Sequence, residues 1–100
     1  MNKQMNPPHV GTILKRAIRE RGLSIYKAAQ LARISQSSLN LVVNKKRPLS
    51  LDMAYRMGKL LGVRPVLLMR IQVDCEIHAK EEEMESDPEY QSIQPVEVES

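Results

Sequence analysis

Between Ser35 and Arg47 the chain reads SQSSLNLVVNKKR, and its polar and apolar positions separate at helical spacing. Gln36 and Asn40 each carry a carboxamide, whose paired donor and acceptor match the N6/N7 edge of adenine bidentately. Ser37 and Ser38 can donate or accept, and Leu41 offers a hydrocarbon surface to a thymine methyl. Ser35, Asn44, Lys45, Lys46 and Arg47 add hydroxyl, amide and cationic groups suited to phosphate oxygens, which position a protein on a duplex without reading its sequence. Leu39, Val42 and Val43 fall on the opposite side of the same helix and are expected to face a core.

That stretch needs elements to hold it. Ser35 is placed to cap the helix, with Ile34 before it packing on Leu39 in a hydrophobic staple. A preceding short helix, roughly Ile25 to Ala32, starts at the cap Ser24 and presents Ala28, Ala29 and Ala32, small enough for a neighbouring helix to approach closely. Two short helices joined by a turn at Arg33-Ile34, with a basic loop after the second, have the order and length of a helix-turn-helix, whose second helix enters the DNA major groove.

Further elements follow the same punctuation. Val10, Ile13, Leu14, Ala17 and Ile18 make an apolar stripe that begins after Pro7-Pro8 and His9 and stops at Gly22. Ser50 caps a fourth helix with Asp52 in its first turn, where Leu51, Ala54, Met57 and Leu61 are expected to be buried and Gly62 ends the run. Pro65 opens a fifth helix. On it, Leu67, Leu68, Ile71, Cys75 and His78 form one face, expected to meet a second copy or another partner, while Met69, Val73 and Ile77 make another apolar line.

Charge is divided along the chain. Residues 1–73 hold 14 Lys/Arg against two acids, a net of +12; residues 74–100 hold one Lys against ten acids, a net of −9. The basic body predicts a polyanionic partner bound in a salt-sensitive way. The acidic end suits a basic partner or shields the body, and its composition predicts little autonomous structure.

Several function classes are disfavoured. No phosphate-cradling glycine loop, nucleophile–base pattern or pair of buried carboxylates can be located, so an enzyme is not expected. Cys75 and His78 are too few for a structural metal site, and no metal or cofactor is expected. Three aromatics, all Tyr, argue against recognition of single-stranded RNA by stacking, and Tyr26 and Tyr55 are expected to pack. No apolar stretch approaches membrane-spanning length, and the polar, proline-broken segment Met1 to Val10 does not resemble a secretory signal, so a cytoplasmic protein is expected.

The chain resembles the XRE/Cro-type helix-turn-helix family, in particular its HigA/VapI-like antitoxin branch. The resemblance spans about residues 6–78. It rests on Asn6-Pro7-Pro8-His9-Val10-Gly11-Thr12-Ile13-Leu14, Leu23-Ser24-x-Tyr26, Ala29, Ser37, Asn40, Val42-Val43-Asn44-x-Lys46-Arg47, Met53-Ala54-x-Arg56 and Gln72. Where the family usually has turn glycines, this chain has Arg33 and Lys45; Ile25 replaces a polar residue, and Leu67 and Leu68 an aromatic pair.

The residue pattern gives five helices with a flexible acidic C-terminal tail, and the resemblance implies that the helices form an all-α, lambda-repressor-like fold. The expected organisation is an N-terminal arm over 1–9, a DNA-binding domain with a dimerisation helix over 10–80, and the tail over 81–100. It also implies a homodimer that binds double-stranded operator DNA to repress its own operon, and that neutralises a small basic ribonuclease toxin of HigB-like type. Two other readings stay open: a stand-alone repressor, and a toxin-binding inhibitor that no longer reads DNA.

Overall fold

The computed structural model describes residues 7–99, so Met1 to Asn6 of the expected arm, and Ser100, lie outside the described residues. The described chain is all helical. Its elements are α1 (Val10–Glu20), α2 (Ile25–Ala32), α3 (Gln36–Val43), α4 (Leu51–Leu61), α5 (Pro65–Glu85) and α6 (Pro88–Gln91).

The caps fall where side-chain chemistry places them. Ser24, Ser35 and Ser50 each accept a backbone N–H from three residues on, at 3.0, 3.1 and 3.1 Å. His9 Nδ1 accepts the N–H of Gly11, two residues on, at 2.9 Å, so a ring nitrogen starts α1. The first four helices also end alike. A left-handed residue (Gly22, Arg33, Lys45 or Gly62) is followed by one whose N–H reaches back to the last turn: Leu23 to Ile18, Ile34 to Ala29, Lys46 to Leu41 and Val63 to Gly58. This is the Schellman arrangement. At Arg33 (φ 62°) and Lys45 (φ 64°) a side chain occupies a conformation that costs a non-glycine residue about 1 kcal/mol or more.

Val10, Leu14, Ile18, Ala28, Leu39, Val42, Ala54, Met57 and Leu68 form the centre of one core, drawn from α1 to α5. The alanines of α2 admit α3 and α4 closely, as their size predicts. Gly11 performs a similar service for α1: a Cβ there would lie 2.4 Å from the Val42 carbonyl oxygen, so only glycine lets α1 close onto the end of α3. Arg21 ties α1 to α4 by donating to the carbonyls of Ala17 and Leu61 at 2.8 and 2.9 Å. Leu51 was expected inside but is exposed; Met53 takes that place, because the cap at Ser50 rotates the first residue of α4 outward. Tyr26 and Tyr55, expected to pack, are likewise exposed.

The fifth helix departs most from expectation. It does not stop near residue 80 but runs through Glu85, and α6 is a sixth helix beyond it. The acids suggested disorder, yet Ala, Lys, Glu and Met are strong helix formers and Lys80 pairs with Glu83 at 3.2 Å. Asp87-Pro88 breaks the helix, and Gln91 turns back to donate to the carbonyls of Met84 and Glu85. At 21 residues α5 is about 31 Å long and projects past the core, which raises the radius of gyration to 17.5 Å against about 13 Å for a compact chain of this size. Beyond Gln91 the described chain has no regular structure.

The face of α5 expected to meet a partner is instead its inner face. Leu68 is in the core, Ile71 packs against it, and Cys75 Sγ donates to the Pro8 carbonyl at 3.0 Å. His78 is half-buried on the same side, and only Leu67 of that set is exposed. The outward apolar line is Val66, Val73 and Ile77, continued by the half-buried Met84. With apolar residues on both sides, the helix carries no net amphipathic direction, so periodicity alone gave no reason to prefer one face. Among the described residues no helix is long and apolar enough to cross a membrane.

Candidate nucleic-acid interface

The candidate surface is built on α3 from the inside out. Leu39, Val42 and Val43 are 0%, 0% and 3% exposed and anchor the helix on the core, which fixes the rotation of everything opposite them. On that opposite side Ser37, Asn40, Leu41, Asn44 and Lys46 line one shallow groove open to solvent. Asn44 Nδ2 donates to the Asn40 backbone carbonyl at 2.9 Å, so this amide also closes the C-terminal end of α3. Its Oδ1 remains an acceptor.

The residues expected on base edges divide into three positions. Ser37, Asn40 and Leu41 share the groove, and Gln36 is exposed at the first turn, on one flank. Ser38 lies on the other flank, in a cleft between the start of α3 and the start of α4. Of the residues expected on phosphates, Asn44 and Lys46 join the groove. Lys45, Lys46 and Arg47 line the neighbouring surface with His9 and Glu76, while Ser35 and Arg47 reach the cleft that holds Ser38.

The cleft contains groups the sequence did not bring together. Arg33, Arg47 and Arg56 line it with Ser35, Ser38, Ser50 and Asp52. Arg56 Nε donates to Asp52 at 2.9 Å, and its Nη1 approaches the Arg33 carbonyl at 3.3 Å. The spacing of Asp52 and Arg56, four apart on one helix, is readable as an ion pair; that the pair stands beside the start of α3 is a tertiary fact.

A buried clasp holds the basic loop in place. Gln72, the buried polar residue of α5, accepts the Leu49 N–H on Oε1 at 2.9 Å and donates from Nε2 to Glu76 at 2.6 Å. The loop from Asn44 to Leu49 is thereby tied to a rigid helix. Replacing Gln72 with Leu leaves the buried Leu49 N–H unpaired and is expected to lower stability by about 1–3 kcal/mol in urea denaturation. An unchanged midpoint would show that the clasp is dispensable.

Similarity to known proteins agrees with this geometry. Residues 14–68 match the helix-turn-helix family HTH_3. Virulence-associated protein A' of Dichelobacter nodosus is 32% identical over 57 residues, 57% of this chain and 50% of that protein, so the chain spans about half the length of this curated relative. Among solved structures, an addiction module antidote protein of the HigA family from Coxiella burnetii superposes with a TM-score of 0.81 at 22% identity, covering 92% of this chain and all of that one. PA4674 of Pseudomonas aeruginosa, solved in complex with its 28-bp operator DNA, gives a TM-score of 0.80 at 25% identity over 90% of this chain and 99% of that one. With α2 and α3 in the order the fold requires, a capped second helix and more than half the chain inside the matched span, this protein belongs to the helix-turn-helix family HTH_3, a family of DNA-binding domains rather than of enzymes.

Proposed function

We propose that this chain is the antitoxin of a toxin–antitoxin pair, acting in the cytoplasm. As a homodimer it binds operator DNA to repress its own transcription, and it holds a small basic ribonuclease toxin of HigB-like type inactive. The observation that carries the DNA half is the outward surface of α3: Ser37, Asn40, Leu41 and Asn44 around one groove, with Lys46 at its rim. Gln36 and Asn40 read bases, while Lys45, Lys46 and Arg47 take phosphates. Operator DNA bound to PA4674 and the antidote role of the Coxiella protein support this reading.

The dimer rests on α5. Val66, Val73, Ile77 and Met84 follow one another at steps of seven, four and seven on the side away from the core. That spacing is the same read from either end. Two copies laid antiparallel about a two-fold axis near position 75 set Val66 on Met84 and Val73 on Ile77, with Arg70 of each helix beside Glu81 of the other. Such a dimer presents two recognition helices to half-sites about 34 Å apart. Replacing Val73 and Ile77 together with Glu buries four like charges in that seam. The variant is expected to sediment as a monomer and to lose at least tenfold in operator affinity, each half-site then being bound alone. A variant that remains dimeric places the interface elsewhere.

The toxin half draws on the acidic end. Glu81, Glu82, Glu83 and Glu85 sit at the negative end of the α5 dipole, an arrangement a cationic partner relieves. Co-expression with the product of the adjacent reading frame tests it. A stable complex with a small basic protein is expected, and its absence leaves the stand-alone repressor.

A further inference from the structure

From the cleft beside α3 we infer that Arg33 binds a DNA backbone phosphate, with Arg47 and Arg56, and that the chain accepts a strained turn in order to place that cation. This deepens the DNA reading of the same surface by adding Arg33 and Arg56 to Arg47 in a phosphate site beside the start of α3.

Helices α1 to α4 each end in a tight turn. These turns share one backbone geometry, a left-handed residue followed by a reach-back hydrogen bond. At the two turns remote from α3 the left-handed residue is Gly22 or Gly62, which adopts it freely. At the two turns that bracket α3 it is Arg33 or Lys45, and these are the only non-glycine residues with positive φ among the described residues. Local propensity favours glycine equally at all four. What distinguishes the second pair is position: each carries its charge to one end of the helix that presents Ser37 and Asn40. Backbone strain retained at a position with an unstrained substitute points to a function of the side chain.

The surroundings of Arg33 match an anion. Arg47 and Arg56 line the same cleft, so three arginines border one space against the single carboxylate of Asp52, which already pairs with Arg56 at 2.9 Å. Ser35 and Ser50 accept backbone N–H groups with their hydroxyl oxygens, which leaves their own O–H hydrogens free to donate. A phosphodiester offers such a set two non-bridging acceptor oxygens that share one negative charge, in the fork geometry that guanidinium prefers. A carboxylate-rich protein surface would meet the same charges, but the cleft adjoins the groove of α3, and the ligand that runs continuously past both is a duplex backbone.

The test compares the full chain with its Arg33→Gly and Arg33→Lys variants on a mixed-sequence DNA duplex of about three helical turns. Phosphate contacts act uniformly across sequences, so no operator is required. Arg33→Gly is expected to melt higher, by about 4 °C or more, because the turn is relaxed. It is also expected to bind DNA more weakly, with the slope of log affinity against log salt smaller by about 0.9, the share of one phosphate. Arg33→Lys keeps both charge and strain and should follow the parent in melting and in slope. Gain of stability with loss of slope is a pairing that a merely structural arginine does not produce. If Arg33→Gly binds with an unchanged slope, the assignment of Arg33 is overturned while the DNA reading survives. If the parent shows no salt-dependent binding to any duplex, both fall together.

Discussion

Replacing Gln36 and Asn40 together with Ala is expected to lower affinity for the operator by on the order of 10²–10⁴-fold, while binding to a mixed-sequence duplex and the melting temperature barely change. The magnitude follows from two carboxamide–adenine contacts, each worth about 1–3 kcal/mol of discrimination. The selectivity follows from where the two residues stand. Gln36 is exposed at the first turn of α3 and Asn40 is half-buried at the edge of its outer groove, so neither anchors the helix. The cations proposed for phosphates lie in the loop and the cleft, and these remain in the double variant. On the proposed reading, specific and non-specific affinity are therefore carried by different side chains. The measurement is a pair of fluorescence-anisotropy titrations at equal salt, one on a duplex selected from a random library and one on its scrambled counterpart. Equal loss on both duplexes would move base readout away from these residues.

Replacing Leu39 with Ala gives the opposite pattern. Leu39 is fully buried and joins α3 to the core shared with α1 and α2. Its truncation removes transfer free energy and leaves a cavity, for a loss of about 2–5 kcal/mol. Against a total stability of about 5–15 kcal/mol that is severe, and the melting temperature should fall by roughly 10 °C or more. Below that temperature the folded fraction still presents Gln36 and Asn40, so operator affinity corrected for folded fraction should change by less than about threefold. Calorimetry with a titration at low temperature separates the two. A small melting shift, below about 1 kcal/mol equivalent, would mean that α3 is not held through Leu39.

The two variants also mark what the sequence alone discloses. Leu39, Val42 and Val43 declared the inner face of α3 by spacing alone, and Ser24, Ser35 and Ser50 declared three helix starts, because cap chemistry is local. Arg33 was visible as a basic residue at a turn, and the structure gives it the left-handed conformation that such a turn demands. Three features were not legible. The partner-facing side of α5 was assigned to the face of Leu68 and Cys75, since a helix apolar on both sides does not say which one the core takes. The continuation of α5 through Glu85 was hidden because acidic composition and helix propensity point in opposite directions there. The arginine cleft joins residues from the α2–α3 turn, the basic loop and α4, separated by up to 23 positions, and no short-range pattern records their meeting.

Amide chemical-shift mapping reports on the outer surface of α3 residue by residue. A labelled chain titrated with its selected operator should show its largest perturbations at Gln36, Ser37, Asn40, Leu41 and Asn44, with Arg33 and the Lys45–Arg47 loop following, while Ile18 and Met57 in the core stay still. Perturbations confined to α5 and the acidic end, with α3 unmoved, would contradict DNA binding through that surface.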